Sequence, residues 1–252
     1  MNRGDIVFLS ASVPHREGWK EGSHPAEIEE AIVSLARAVF SRGGRLLFGG
    51  HPSVSFLIAS VAGEYFEQDP SRTIRPVITF QSELFREFLP DETWLLYRMG
   101  WSSIEWTEKQ YVRGEEDLGA SLRLMRERML LMRGVPDEVR KRSEWTPPKA
   151  MVAIGGMEGV IEEAEMFLNV PGSPNIYTLP SGGGAAARLH KGDHPPLEPV
   201  REVALDHARR TGRVIDLEQL WRERYPTALP KTVPFKPYAS ILQFMLDELV
   251  LG

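Results

Sequence analysis

The stretch that decides the fold is RLLFGGHPS, residues 45–53. Its first four residues favour a short buried strand, the paired glycines Gly49 and Gly50 end it, and a helical pattern begins after Pro52. A short, mostly apolar run that ends in glycine and leads into a helix is typical of one strand–helix unit of a parallel sheet. We therefore expect Gly49 and Gly50 to lie at the carboxyl end of a strand, where open α/β sheets bind ligands.

The same alternation of short apolar runs and helical patterns continues along the chain. Helical spacing of apolar residues predicts one helix over residues 25–41 and another over residues 117–133, whose methionine stripe we assign to the core. Strands that alternate with helices predict an α/β fold, a Rossmann-like parallel sheet flanked by helices. The six predicted strands span residues 5–11, 45–48, 75–80, 102–107, 150–154 and 175–179.

The last quarter of the chain has a different pattern. After Pro195 and Pro196 the sequence shows helical patterns at residues 197–209, 216–224 and 238–249, with no clear strand among them. We therefore predict a ligand-binding domain over residues 1–195 and a helical C-terminal extension, residues 196–252, packed on the same domain.

Composition and charge exclude several classes of function. The net charge of -5 gives no overall attraction to nucleic-acid polymers or anionic lipid. The absence of cysteine rules out disulfides, thiolate zinc sites and a cysteine nucleophile. The first residues do not resemble a signal peptide, and no apolar run reaches the roughly 20 residues needed to cross a bilayer. We expect a cytoplasmic protein with no membrane partner, no nucleic-acid polymer as partner and no cofactor.

Three glycine-rich turns follow predicted strands. They are Gly49–Gly50–His51, the run from Gly155 to Gly159, and Ser181–Gly182–Gly183. None matches the phosphate loop of NTPases or the dinucleotide G-x-G-x-x-G spacing, so a standard NTPase or dehydrogenase is not indicated. We expect at least two of the turns to line one ligand site. The predicted lining residues at this stage are Ser10, Ser12, Gly49, Gly50, His51, Gly155, Gly156, Glu158, Gly159, Ser181, Gly182 and Gly183.

Two histidines near the end of the predicted domain invite a metal interpretation. His190 and His194 flank Lys191, Gly192 and Asp193, but no third ligand pattern accompanies them. We therefore interpret this segment as a solvated loop and predict no metal site.

Two segments resemble motifs of the SLOG superfamily, which includes Smf/DprA and Lonely-guy proteins. MRERMLLM, residues 125–132, is similar to the Lonely-guy motif M-H-x-R-K-x-x-M, and GGMEGVIE, residues 155–162, is similar to G-G-x-G-T-x-x-E. Arg126 replaces the family histidine and Met129 the family lysine, while Glu158 and Gly159 stand where the family has Gly-Thr. The stretches VFLSASVP, residues 7–14, and FGGHP, residues 48–52, look more like the bacterial branch associated with TIR domains.

The resemblance implies a function and roles for two residues. It implies a sensor of a nucleotide or NAD-derived signal, ADP-ribose-like or cyclic, in bacterial antiphage defence, with an effector such as a TIR-domain protein as partner. Arg128 would pair with a phosphate, and Glu162 would accept hydrogen bonds from ribose hydroxyls. A homo-oligomer is expected.

Two other classes of function stay open. In the first, the chain is an N-glycosidase of the phosphoribohydrolase type, acting on a nucleoside phosphate or NAD-like substrate, in which Glu162 stabilises the cationic sugar and Arg128 positions it. A carboxylate at Glu158 would repel a monophosphate and argues against it. In the second, the chain is a partner-docking subunit with a degenerate pocket, which the three glycine-rich turns argue against.

Overall fold

The computed structural model describes residues 1–66, 75–133, 145–172, 174–192, 199–226 and 236–251. Seven of the strands form one sheet in which every pairing is parallel, and the other two form a short antiparallel hairpin. The strands are β1 (Ile6–Ser12), β2 (Arg45–Phe48), β3 (Val77–Ser82), β4 (Ser102–Thr107), β5 (Tyr111–Val112), β6 (Glu115–Glu116), β7 (Ala150–Gly155), β8 (Asn175–Leu179) and β9 (Val214–Asp216).

Helices connect the strands. Most of them follow a strand directly, as expected for parallel strands joined by crossovers. The α-helices are α1 (Pro25–Ser41), α2 (Pro52–Phe66), α3 (Asp91–Arg98), α4 (Leu118–Leu131), α5 (Glu158–Phe167), α6 (Gly184–Lys191), α7 (Pro199–Arg210), α8 (Leu217–Arg224) and α9 (Tyr238–Leu251), with 3₁₀ turns at Glu83–Phe88 and Pro180–Gly182.

The sheet has apolar layers on both faces. One core cluster joins it to α1, α2, α8 and α9, and the other joins it to α4, α5, α6 and α7. The predicted stripe of α1 is buried, and Met125 and Met129 of α4 lie in the second cluster, as expected from their spacing. The predicted Rossmann-like α/β fold with C-terminal helices is therefore confirmed, and each of the six predicted strands is present with its ends shifted by at most two residues.

The C-terminal quarter differs from the prediction in one respect. Residues 214–216 form β9, which pairs in parallel with β8 and extends the main sheet, so the expectation of no strand after residue 196 is wrong. A three-residue strand is too short to show alternation in sequence, and its backbone becomes extended because β8 offers an open edge. The predicted boundary at residues 195 and 196 lies outside the described residues, and the division into two parts stays a prediction.

The last helix is anchored to the rest of the fold at its first residue. The Tyr238 hydroxyl donates to Glu27 of α1 over 2.9 Å and shares a hydrogen bond of 2.5 Å with Ser181. Burial raises the pKa of the Tyr238 hydroxyl, so it keeps its proton. None of the helices in the described part of the chain has the length and apolar composition that a membrane crossing requires.

Candidate ligand-binding site

A cavity of about 400 Å³ opens at the carboxyl ends of β1, β2 and β3, beside the first turns of α2 and α5. A volume of this size is within the range of small-molecule sites. The described residues that line it are Leu9, Ala11, Ser12, Arg16, Phe48, Gly49, Gly50, His51, Pro52, Gln81, Phe85, Phe88, Leu122, Met125, Arg126, Met157, Gly159, Val160 and Glu163.

Sheet topology explains why the cavity forms there. The strand order is β4–β3–β2–β1–β7–β8–β9, so β1 has the next strand in the chain on one side and a much later strand on the other. The connection after β1 leads to β2 on one side, and the connection after β7 leads to β8 on the other, so the loops after β1 and β7 separate into a crevice. The register pairs Ser12 with Gly155, which brings both strand ends to the same level.

Most of the cavity wall is apolar. Leu9 and Phe48 of the sheet and Leu122 and Met125 of α4 contribute apolar side chains to it. Two phenylalanines from the 3₁₀ turn after β3, Phe85 and Phe88, also line the wall, and Phe88 is 77% exposed. Planar aromatic side chains that solvent can reach offer surfaces on which a base can stack.

One polar network forms part of the cavity wall. The Arg126 guanidinium donates through Nη1 to Glu162 and through Nε to Glu163 over 3.3 Å. Ser10 Oγ donates to the second oxygen of Glu163. The side chains of Arg126 and Glu163 are only 13% and 14% exposed, so this ion pair is largely desolvated. A buried pair in which each group has several partners is held in one geometry.

The buried carboxyl group of this network is electrostatically unusual. Burial raises the pKa of Glu163, while Arg126 and the Ser10 hydroxyl act in the opposite direction. Perturbed carboxyl groups that face a cavity are candidates for ligand recognition or acid–base chemistry. Glu163 is therefore the titratable group in the described wall best placed to act on a ligand.

A second polar group lies at the rim. Arg16 Nη2 contacts Glu158 at 2.5 Å, and the Trp19 indole donates to the other carboxylate oxygen over 2.7 Å. The Arg188 guanidinium lies 4.2 Å from the centre of the Trp19 ring, over one of its faces, and so holds the indole in place. Glu158 therefore ties the loop after β1 to the beginning of α5.

His51 faces the cavity as a neutral imidazole. Burial, with a smaller effect of His15, lowers the pKa of His51 to about 4. Its Nδ1 accepts from the Ser53 amide over 3.2 Å and lies 2.9 Å from Ser53 Oγ. Because Nδ1 accepts a hydrogen bond, the ring proton resides on Nε2, which is then a donor.

The structure brings part of the predicted set together. Ser12, Gly49, Gly50, His51 and Gly159 line the cavity. Three further predicted residues do not line the cavity, but each holds a residue that does: Ser10 binds Glu163, Glu158 binds Arg16, and Glu162 binds Arg126. The remaining predicted residues do not line the cavity; they are Gly155, Gly156, Ser181, Gly182, Gly183 and Arg128.

The glycines outside the cavity have a packing role. A Cβ on Gly155 would lie 2.6 Å from Ile28 and 2.8 Å from the Ser12 carbonyl oxygen, and one on Gly182 would lie 2.8 Å from Ile28. Gly183 has φ +74° and contacts the backbone of Gly22. The second and third turns are thus packed against α1 and the loop before it, where a side chain has no room.

Arg128 points away from the cavity. Its Nη2 donates to Glu108 over 3.0 Å, and its Nε is buried without a partner among the described residues. The resemblance singled out Arg128, but on α4 the residues at spacing i, i+3 and i+4 that face the cavity are Leu122, Met125 and Arg126.

Sequence reasoning missed the ionic pair of the wall. Arg126 was noted as a replacement for a family histidine, and Glu163 was not assigned a role. Helical phase offers a signal for both, because Arg126 lies four residues after Leu122, and Glu163 lies four residues after Gly159. Gly159 also makes room for the pair, since a Cβ there would lie 2.6 Å from Arg126 Nη2.

No metal site is found in the described part of the chain, where no three histidines, aspartates or glutamates are grouped for one ion. His190 lies half-exposed near the end of α6, with Nε2 4.0 Å from Asp216, so the loop interpretation is wrong for this residue, where the helix continues to Lys191. His194 lies outside the described residues. The prediction of a solvated loop at His194 therefore stays a prediction.

Comparison with known proteins gives one family. The family model described as the SLOG cluster3 family matches residues 18–208, which include most of the cavity wall. No match was found among curated proteins. The X-ray structure of TM1055, a structural genomics target, is similar over 79% of this chain and 88% of that chain, with 15% identity and a TM-score of 0.45.

Proposed function

Since this chain belongs to the SLOG cluster3 family, we propose that it binds a nucleotide or an NAD-derived molecule, ADP-ribose-like or cyclic, in the cavity beside β1. The observation that carries the proposal is the position of that cavity. It lies where the strand order changes direction, and it combines an apolar, aromatic wall with three convergent polar groups, Arg126, His51 and Glu163.

The polar groups of the wall suit the neutral parts of such a ligand. The Nε2–H of His51 and the remaining N–H groups of Arg126 are donors for carbonyl and ring-nitrogen acceptors of a base. Glu163 offers an acceptor, or a donor when protonated, for a ribose hydroxyl. Phe85 and Phe88 supply stacking surfaces at the opening.

The signalling role is the finer part of the proposal. It rests on the resemblance of residues 7–14 and 48–52 to the TIR-associated branch, which implies a sensor in antiphage defence that acts on an effector such as a TIR-domain protein. A homo-oligomer is supported by an exposed apolar surface on α3 and the residues after it. Leu95, Tyr97 and Met99 are each at least 41% exposed, and Trp94 joins Tyr97 to Trp106 by ring contacts.

Ligand-dependent thermal stability tests the binding function. A panel of NAD, ADP-ribose, cyclic nucleotides and nucleoside monophosphates should contain compounds that raise Tm by about 5–10 °C at about a hundredfold excess over Kd. Duplex DNA and RNA should have no comparable effect, because the net charge is negative. A panel without any shift, or a shift with duplex DNA alone, would show the proposal to be wrong.

A pair of phenylalanine variants locates the site. Phe88→Ala removes a stacking surface from the opening and should weaken nucleotide binding about tenfold. Phe56→Ala is the matched control, because Phe56 is also an exposed phenylalanine, 42% exposed, but lies on α2 outside the cavity wall. Equal effects of the two substitutions would place the ligand elsewhere.

Glycosidase activity is the second candidate, favoured by one observation. Glu163 places a buried carboxyl group in the wall, held by Ser10 and Arg126, where it could stabilise a cationic sugar. In that case wild type releases base from NAD, ADP-ribose or nucleoside monophosphates, and Glu163→Gln slows release by about a hundredfold or more with ligand affinity preserved. The binding module we favour releases no base, as measured by chromatography.

A further inference from the structure

Both arginines in the described part of the cavity wall are already held by carboxylates. Arg126 lies between Glu162 and Glu163, and Arg16 contacts Glu158. Two guanidinium groups therefore face three glutamates, and the His51 imidazole adds no positive charge near neutral pH. A phosphate entering this cavity would meet no uncompensated cation among the described lining residues.

The beginning of α5 carries its own anion. Glu158 is the first residue of this helix, and its carboxylate is fixed by Arg16 and by the Trp19 indole. A carboxylate beside a helix N-terminus interacts favourably with the helix dipole, as a bound phosphate would. A phosphate at the same place would be repelled by Glu158.

The beginning of α2 has its first amides engaged within the protein. Pro52 has no N–H group, and the Ser53 amide donates to His51 Nδ1. The amides of Val54 and Ser55 both donate to the His51 carbonyl oxygen over 3.0 Å. The amides of Ser53, Val54 and Ser55 are therefore directed to His51 and not to a phosphate.

We infer that the cavity takes the uncharged base and ribose of its ligand, and that phosphate groups remain outside it in solvent. This inference rests on the proposed function and specifies which part of the ligand the site recognises. The apolar wall of Leu9, Phe48 and Met125 suits a base. Arg126 then acts as a neutralised, rigid donor for a carbonyl or ring nitrogen, in an orientation set by Glu162 and Glu163.

Calorimetric titration of matched nucleosides and nucleotides tests the inference. The probes are adenosine, AMP and ADP, with the corresponding guanosine, cytidine and uridine series. For the base that binds, we expect the affinities of nucleoside, monophosphate and diphosphate to agree within about threefold, with little change between about 0.05 M and about 0.5 M salt. A monophosphate that binds about thirtyfold or more tightly than its nucleoside would overturn the inference.

A charge variant sharpens this test. Glu162→Gln keeps the shape of the side chain and removes one of the two counter-charges of Arg126, so the affinity ratio of monophosphate to nucleoside should rise about fivefold. Glu127→Gln is the matched control, because Glu127 lies on α4 and pairs with exposed Arg123. An unchanged ratio in Glu162→Gln would contradict the claim that its carboxylate neutralises Arg126 toward phosphate.

The outcomes separate the inference from the function on which it rests. If phosphate-bearing ligands bind tightly and nucleosides do not, the cavity is a nucleotide site and only the inference is wrong. If no nucleoside, nucleotide or NAD-derived compound binds, the proposed function fails and the inference fails with it.

Discussion

The turn after β2 and the turn after β8 look alike in sequence, but they differ in structure. Both place paired glycines at the carboxyl end of a buried strand. Gly49 lines the cavity, and a Cβ there would meet only the Met125 methyl group at 3.4 Å. Gly183 lies against Gly22, and a Cβ there would lie 2.8 Å from the Ser23 Cα. A glycine-rich turn thus indicates either open space for a ligand or close backbone packing.

The largest expected effect on stability comes from a substitution in the packed turn after β8. Gly183→Val introduces a branched side chain at φ +74° against the backbone of residues 22 and 23, and should reduce the free energy of unfolding by at least about 3 kcal/mol. Gly49→Ala should change it by no more than about 1 kcal/mol, because the space is open. Chemical denaturation measures both, and similar values for the two would contradict the distinction.

Acid should destabilise the fold through His51, which lies in the turn after β2. Its pKa is about 4 in the folded protein and about 6.5 when unfolded, so the neutral ring contributes stability above pH 6.5 that is lost as pH falls toward 4. The loss attributable to His51 is at most about 3 kcal/mol.

The effect of His51 has to be separated from that of Glu163, which acts in the opposite sense. The raised pKa of Glu163 gives a contribution to stability that is complete at low pH and is lost as pH rises through the folded pKa. His51→Asn preserves an acceptor for Ser53 but does not titrate. Urea unfolding at pH 7 and near pH 4.5 should show a smaller difference for the variant than for wild type, and equal differences would refute the assignment.

Two arginines on α4 test which side of the helix meets the ligand. Arg126→Met removes a donor from the wall and should weaken nucleotide binding about tenfold or more. Arg128→Met, which breaks a pair with exposed Glu108, should weaken it less. Calorimetry on both folded variants measures the difference. A larger loss with Arg128→Met would favour the motif-based assignment over the geometric one.

The smallest expected effect concerns Tyr238, which holds Ser181 in the turn after β8. Tyr238→Phe removes the hydrogen bonds to Ser181 and Glu27 and should destabilise the protein by about 1 kcal/mol. Ligand affinity should not change, because this contact supports the packed turn and not the cavity. Thermal unfolding with and without nucleotide measures both quantities, and a lower affinity in the variant would couple α9 to the site.

The sequence predicted the fold well because strand and helix periodicities depend on local residues. Each of the six strands has its own apolar run, and α1 and α4 have their own buried stripes. β9 escaped prediction because its three residues become a strand only through pairing with β8. Local patterns therefore predicted these strands and helices, whereas the additional edge strand β9 depends on tertiary pairing.

The candidate site was predictable only in part. Because the strand ends can be predicted from sequence, so can the edge of the sheet that forms the site and five of its lining residues: Ser12, Gly49, Gly50, His51 and Gly159. The ionic pair does not, because its two members come from helices far apart in the chain, α4 and α5, and meet only after folding. The motif placed emphasis on Arg128 and Glu162, while the helical phases turn Arg126 and Glu163 toward the cavity.

Methyl NMR of the methionines tests the central claim most directly. Met125 and Met157 line the cavity, whereas Met99 and Met245 lie outside its wall and serve as internal references. On titration with the nucleotide that raises Tm, the methyl signals of Met125 and Met157 should shift saturably and together, while those of Met99 and Met245 stay in place. Saturable binding that leaves Met125 and Met157 unshifted would contradict the assignment of this cavity as the ligand site.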